Sequence, residues 1–211
     1  MQQDGGHDWH HLWRVFSNAH VIHAGEAHLT DQDPSIAWDH IAVAVLFHDA
    51  VNLPKNHPAR HEASRLSGDA AVSWLRAIST DAEIARVISI DLDIVHDAIW
   101  SHSFSANRPA STYVARVVTD ADRLDALGAL GLARTFAVGG QLNRPLFDPA
   151  DPLARARELD DSIWSVDHIH KKLLTLKDRL YTNTARALGQ RRHDFLLIFL
   201  DQLAAELGER R

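Results

Sequence analysis

Three places in the chain set metal-binding or acid-base side chains beside apolar faces. They are His11 in His11-Leu12-Trp13-Arg14-Val15, the pair His48-Asp49 closing the run Ile41 to Phe47, and the acids of Asp120-Ala121-Asp122-Arg123-Leu124-Asp125. An ionised carboxylate beside an apolar run is costly unless it is paired, hydrogen-bonded or bound to a metal. Two imidazoles and two carboxylates from three helices suit a divalent ion such as Mn, Fe, Co, Ni or Mg, with coordination positions left for water and substrate. Such an ion lowers the pKa of its water and neutralises charge on a phosphoryl oxygen, so the chemistry is hydrolysis by metal-activated water. The dipeptide alone proves little. With 15 His and 28 acidic residues, His-Asp recurs at His7-Asp8, His96-Asp97 and His193-Asp194, and by itself a helix-end cap is the simpler reading.

Helices must position these groups. Apart from Asp4-Gly5 near the start, where no strand pattern flanks it, the chain has no Asn-Gly or Asp-Gly dipeptide and no sustained alternation, whereas apolar residues recur at helical spacing, so an all-α fold is expected. A first helix is predicted from about Asp8 to Ala27, and Pro34 suits the start of the second. Seven apolar residues in a row exceed one stripe of a surface helix, which predicts that the run 41–47 is buried all round. The stretch after Asp49, with two prolines and two asparagines, reads as a loop that places Lys55 and His57 where they could touch a ligand. Further helices are expected at about Ala59 to Ile78, Asp81 to Trp100 and Ser111 to Leu127. Gly128 to Gly131 suggests close helix contact or a short break. Gly139-Gly140 and the stretch Pro145 to Pro152 form a long connection, dividing a metal-binding core (1–140) from a C-terminal helical extension (141–211) packed on the same domain. Two helices follow, near Trp164 to Ala187 and Arg191 to Leu207, the last packing on the core or on a second subunit, as in a homodimer.

Composition narrows the classes. A chain of 211 residues with 45% apolar and 24% charged content can bury one substantial core. No run approaches the roughly 20 apolar residues that span a bilayer, and the start lacks the basic and apolar regions of a signal peptide. The expected compartment is the cytoplasm, without a membrane partner. The absence of cysteine excludes disulfides, thiolate metal sites and cysteine nucleophiles. A net charge of -6 argues against general nucleic-acid binding but leaves room for a small anionic substrate.

The order His, His-Asp, Asp in an all-helical chain resembles the HD-domain metal-dependent phosphohydrolase superfamily. The local wording, His7-Asp8-Trp9-His10-His11-Leu12-Trp13-Arg14-Val15, Phe47-His48-Asp49, Lys55-Asn56-His57-Pro58, His102-Ser103-Phe104-Ser105-Ala106 and Asp120 to Gly128, is similar to the small stand-alone bacterial members of the YedJ and YpgQ kind. The resemblance implies an HD-domain helical bundle in which His11, His48, Asp49 and Asp122 hold the metal. Asp122 is preferred to Asp120 because the Ala-Asp-Arg-Leu frame puts the ligand there. Asp49, Lys55 and His57 are then the candidate catalytic residues, and Arg14, Lys55, His57 and Arg123 the candidate substrate contacts. Asp120, His96 and His102 are expected around the ligands, and Asp125 could pair with Arg123 or a histidine.

Other residues take plainer readings. Asp120 is about as well explained as a helix-surface acid. His20, His23, His28, His40, His61, His168, His170 and His193 read as structural or exposed, and Trp9 and Trp13 as core filling rather than pocket walls. The chain also departs from the superfamily's specialised members. Asn52 stands where several carry an acid three positions after His-Asp, the acidic pair of the guanosine tetraphosphate hydrolases is missing, and the Gly-Lys of the di-iron oxygenases is replaced by Pro54-Lys55 further on. The expected function is hydrolysis of a phosphomonoester or pyrophosphate bond in a small phosphorylated compound, most plausibly a nucleotide. The competing readings are a di-iron oxygenase on the same fold and a non-catalytic nucleotide-binding or signalling module.

Overall fold

The computed structural model describes residues 9–31, 33–53, 57–79 and 90–208, and among these no strand occurs. Its α-helices are α1 (Trp9–Glu26), α2 (Pro34–Phe47), α3 (Ala63–Ile78), α4 (Leu92–His102), α5 (Tyr113–Asp125), α6 (Gly128–Gln141), α7 (Ser165–Lys171) and α8 (Asn183–Glu206), with short 3-10 turns between them. The chain forms two compact units. One comprises residues 9–122 with 181–184, and the other residues 123–180 with the remainder of α8.

In the first unit, α1 buries His11, Val15, Asn18, Ala19, Ile22 and Glu26, one stripe at spacings of three and four. Trp9 and Trp13, 68% and 60% exposed, lie on the other side of that helix, so the core-filling reading fails for both. Asp33 caps α2 by accepting the Ser35 N–H at 2.8 Å, with Pro34 at the first helical position, where its missing donor costs nothing. The buried residues of α2 are Ala37, His40, Ile41, Ala44 and Val45, again a stripe. The run is therefore not buried all round. Leu46 is exposed, and the Phe47 ring meets the half-exposed Trp74 of α3 at a tilt, with 5.3 Å between centroids, so apolar contacts on the rim accommodate the surplus residues.

The helix expected from Asp81 to Trp100 is seen, among the described residues, only from Leu92. Residues 81–89 lie outside the described part, and Ile90-Asp91 is not helical. Asp91, expected inside the helix, instead caps α4: its carboxylate accepts the N–H groups of Asp93 and Ile94 at 2.9 and 3.3 Å. His40 fixes this start by accepting the Asp91 N–H at 2.8 Å through Nε2 while its Nδ1–H donates to the Ile36 carbonyl at 2.7 Å. It is thus a structural histidine. Helix α4 packs on both α3 and α2.

In the second unit, both readings of the 128–131 segment hold. Gly128, at φ 74°, turns the chain into α6 through a conformation that glycine adopts without penalty. At Gly131 a Cβ would lie 2.2 Å from the Ala126 carbonyl oxygen, so the approach there requires a missing side chain. Helix α6 runs on through Gly139 and Gly140 to Gln141. The single helix expected at Trp164 to Ala187 is three pieces: α7, a 3-10 segment, Leu173–Arg179, that packs against it, and the start of α8, which begins at Asn183, before the Arg191 expected for the last helix. The long connection before α7 is held by Arg157, whose guanidinium makes a bidentate pair at 2.6 and 2.8 Å with the fully buried Asp167.

Candidate metal centre

The first unit brings His11, His48, Asp49, His102 and Asp122 together. His11 lies on the buried stripe of α1, His48 follows the last residue of α2, His102 ends α4, and Asp122 sits near the end of α5. The Nε2 atoms of His11 and His48 face each other at 3.3 Å. Asp49 Oδ2 is 3.4 Å from His48 Nε2 and 3.6 Å from His11 Nε2, and Asp122 Oδ1 is 3.6 Å from His11 Nε2. The second oxygen of Asp49 looks the other way, 3.8 Å from His102 Nε2.

Backbone carbonyls fix which ring nitrogens carry protons. His48 Nδ1 is 2.7 Å from the Val45 carbonyl and His102 Nδ1 is 2.6 Å from that of Ile99. A carbonyl can only accept, so Nδ1 donates in each, and a neutral ring then offers its Nε2 lone pair to the cluster. Burial holds the pKa of His48 below the ordinary imidazole value, outweighing the neighbouring charge of Asp49, which keeps that lone pair available. Burial also works against a proton on His102, but there the Asp49 carboxylate and the charge of Asp122 prevail and raise its pKa. His11 and His48 are buried, while the side chains of Asp49 and Asp122 remain 26% and 30% exposed, which leaves the centre open to water and small molecules.

This arrangement fits a cation. Ligand atoms about 2.1 Å from one ion stand roughly 3.0–3.4 Å from each other, close to the separations seen here. His11, His48 and Asp49 form a group whose ligand atoms all lie within 4.8 Å of one another. Two imidazole nitrogens and two carboxylate oxygens pointed inward are a donor set for a divalent transition ion, and two carboxylates balance its charge.

The other candidate residues are placed differently. Arg14 is one helical turn beyond His11 and half-buried. Lys55 lies outside the described residues. His57 is exposed and accepts the Ala59 N–H through Nδ1 at 3.1 Å, which puts the proton of a neutral ring on Nε2. Arg123 donates to the Arg179 carbonyl. His96 joins Asp69 of α3 at 3.0 Å and stacks edge-on against Trp100, so it lies with that pair and not with the cluster. Asp125 pairs with Arg134, which reaches it from α6, at 2.7 Å. Asn52 accepts from Arg60 at 2.7 Å, which anchors the loop after Asp49.

Asp120 is fully buried, which excludes the surface-acid reading. Its carboxylate accepts the Tyr181 N–H at 2.9 Å, the Thr182 N–H at 2.8 Å and the Thr182 hydroxyl at 2.9 Å. Nothing in the sequence signals this partner some sixty positions away. Asn18 escapes a reading confined to titratable groups, although it lies seven residues after His11 and hence on the same helix face. Its amide donates to the Ala121 carbonyl at 3.0 Å.

No family model matches the chain. Over 205 residues it is 31% identical to the uncharacterized protein YpgQ of Bacillus subtilis, covering 97% of this chain and 86% of that protein. The crystal structure of YpgQ in complex with ADP is similar with a TM-score of 0.65 at 31% identity, over 95% of this chain and 90% of that one. Lin1889 of Listeria innocua has the same TM-score, 0.65, at 26% identity, over 97% and 90% of the two chains. An HD-superfamily hydrolase from Bacillus thuringiensis gives 0.64 at 29% identity, over 99% and 90%.

Proposed function

The chain belongs to the HD-superfamily hydrolases, in the group that contains YpgQ, and from that premise we propose that it is a metal-dependent phosphohydrolase of a small phosphorylated compound, a nucleotide. The reaction is hydrolysis of a phosphomonoester or pyrophosphate bond. The observation that carries this reading is the inward convergence of His11, His48, Asp49 and Asp122, with the His48 lone pair set by its bond to the Val45 carbonyl. The complex of YpgQ with ADP supports a nucleotide as the ligand class.

His11, His48, Asp49 and Asp122 would hold the ion, which supplies Lewis acidity and an activated water near neutral pH when bound. The protein's own groups do the rest. Asp49 and Asp122 together offset a divalent charge, so a phosphate approaching the centre meets no net repulsion from its ligands. Arg14, one helical turn from His11, and Lys55, six positions after Asp49 in the sequence, are cations suited to phosphoryl oxygens. His57 donates through Nε2, since its Nδ1 already accepts from Ala59. Arg123 has part of its guanidinium committed to Arg179 and contributes less. Asn52, tied to Arg60, carries no titratable proton and is not the acid that assists the leaving group.

The test is metal analysis of the purified protein, then a phosphate-release screen over nucleotides and sugar phosphates with Mn, Mg, Co and Ni. Turnover that falls at least a hundredfold in His48→Ala and Asp49→Asn is expected. Equal turnover in those variants, or none by the parent on any phosphorylated compound, would refute it.

A further inference from the structure

One side chain outside the ligand set links the helices that carry His11 and Asp122. Asn18 is two turns along α1 from His11, on the same buried stripe, and only 9% exposed. Its amide nitrogen donates at 3.0 Å to the carbonyl of Ala121. That carbonyl belongs to the peptide group that joins Ala121 to Asp122, so the bond grips the backbone at the root of the Asp122 side chain. On the neighbouring residue, the Asp120 carboxylate is held by the Tyr181 and Thr182 N–H groups. The Asp122 backbone is thus fixed from two directions while its side chain stays 30% exposed. Val15 and Ile22, one turn to either side of Asn18, are apolar and fully buried. They pack α1, but they have no directional hold on α5.

We propose that Asn18 is a positioning residue of the metal centre: by gripping the Ala121–Asp122 peptide it sets the distance from Asp122 to His11 and so tunes affinity for the ion. The inference rests on the metal-centre reading above. Outer hydrogen-bond partners of this kind typically govern metal affinity by about ten- to a hundredfold. The grip acts through backbone placement, so it bears on ion binding more than on stability.

The experiment is calorimetric titration of the full chain with Mn2+, with the electron paramagnetic resonance spectrum of the bound ion as second readout. Four variants are compared: Asn18→Leu, which keeps the branched heavy-atom shape and loses the donor; Asn18→Gln, which keeps a donor; His48→Ala; and Ile22→Ala, which loosens α1 one turn away without touching the Ala121 carbonyl. Asn18→Leu should weaken Mn2+ binding about tenfold or more and broaden the spectrum, Asn18→Gln should recover part of the affinity, and Ile22→Ala should bind within about twofold of the parent. Three results overturn the proposal: Asn18→Leu binding as tightly as the parent, Ile22→Ala losing as much affinity as Asn18→Leu, or no recovery in Asn18→Gln. A parent that binds no Mn2+, or a His48→Ala variant that binds as the parent does, overturns the metal-centre reading itself, which distinguishes the two failures. Should Asn18→Leu not fold, the Asn18→Gln and Ile22→Ala titrations decide the point, since unweakened binding in Ile22→Ala with altered binding in Asn18→Gln is still required.

Discussion

Replacing Asp120 by alanine removes the acceptor of three donors at once: the N–H groups of Tyr181 and Thr182 and the Thr182 hydroxyl. Each bond to a charged acceptor is worth about 1.5–3 kcal/mol alone, but they share one carboxylate and do not add. The larger effect is what remains behind, since the Thr182 N–H is buried and would lose its partner. Leaving buried neutral donors unsatisfied costs about 1–3 kcal/mol each and less than additively, so a total of about 3–5 kcal/mol is expected for Asp120→Ala. In a protein of this size it corresponds to a fall in Tm of roughly 10–15 °C. Asp120→Asn keeps the shape and one oxygen and should lose about 2 kcal/mol, and Thr182→Val, which removes only the hydroxyl, about 1 kcal/mol. Urea unfolding followed by circular dichroism, with thermal scans alongside, measures all three. The order alanine, asparagine, valine is the signature of the carboxylate as anchor. An Asp120→Ala variant within 1 kcal/mol of the parent, or a Thr182→Val loss equal to it, would refute the reasoning.

Three other outcomes follow from the structure. Mn2+ at about a hundred times its Kd should stabilise the parent by about 2.7 kcal/mol in a thermal shift, and His11→Ala should lose that response; an undiminished shift in the variant removes His11 from the centre. Gly131→Ala should destabilise by about 1–3 kcal/mol, against the roughly 1 kcal/mol that helix propensity favours alanine, because the new Cβ would press on the Ala126 carbonyl; a gain in Tm would show that the two turns can separate. Burial works against ionised Asp161, but its bonds to Lys171 and His168 at 2.8 and 2.9 Å prevail and bring its pKa down to about 2. A depressed folded-state value means that this stabilisation is present above the ordinary carboxylate pKa of 3.8 and disappears as pH falls from about 4 to 2. With solvent screening it amounts to about 1 kcal/mol, seen as an acid-limb difference between the parent and Asp161→Asn. Identical acid limbs would count against it.

The all-α fold was legible because apolar spacing, caps and glycine positions agree with one another. Pro34 and the stripe of α1 are local facts, and local facts survive folding. That His11, His48-Asp49 and the acids at 120–125 needed partners was legible because each stands beside an apolar face, but the choice of Asp122 over Asp120 came from the resemblance to the HD superfamily and not from position on a helix. What the sequence hid is long-range. Asp91 has the spacing of a stripe residue and only its bonds to Asp93 and Ile94 reveal a cap. Arg134 and Asp125 are nine residues apart across a glycine turn whose direction no local pattern states. The run before His48 hid its exposed Leu46, because consecutive apolar residues do not disclose which of them the neighbouring helices cover.

The short segment 181–184 belongs to the unit that holds the centre, though it is 61 positions downstream of Asp120 at its nearest bond. During synthesis α5 leaves the ribosome with its buried acid unpaired. At about 5–20 residues per second, the partner backbone emerges roughly 3–12 s later. The nascent unit therefore passes through a waiting state without these bonds, in which Asp120 stays hydrated until the 181–184 strap arrives. Fragments cut before residue 181 would remain in that state permanently, with His11, His48, Asp49 and Asp122 all present but the Asp120 end of α5 unanchored.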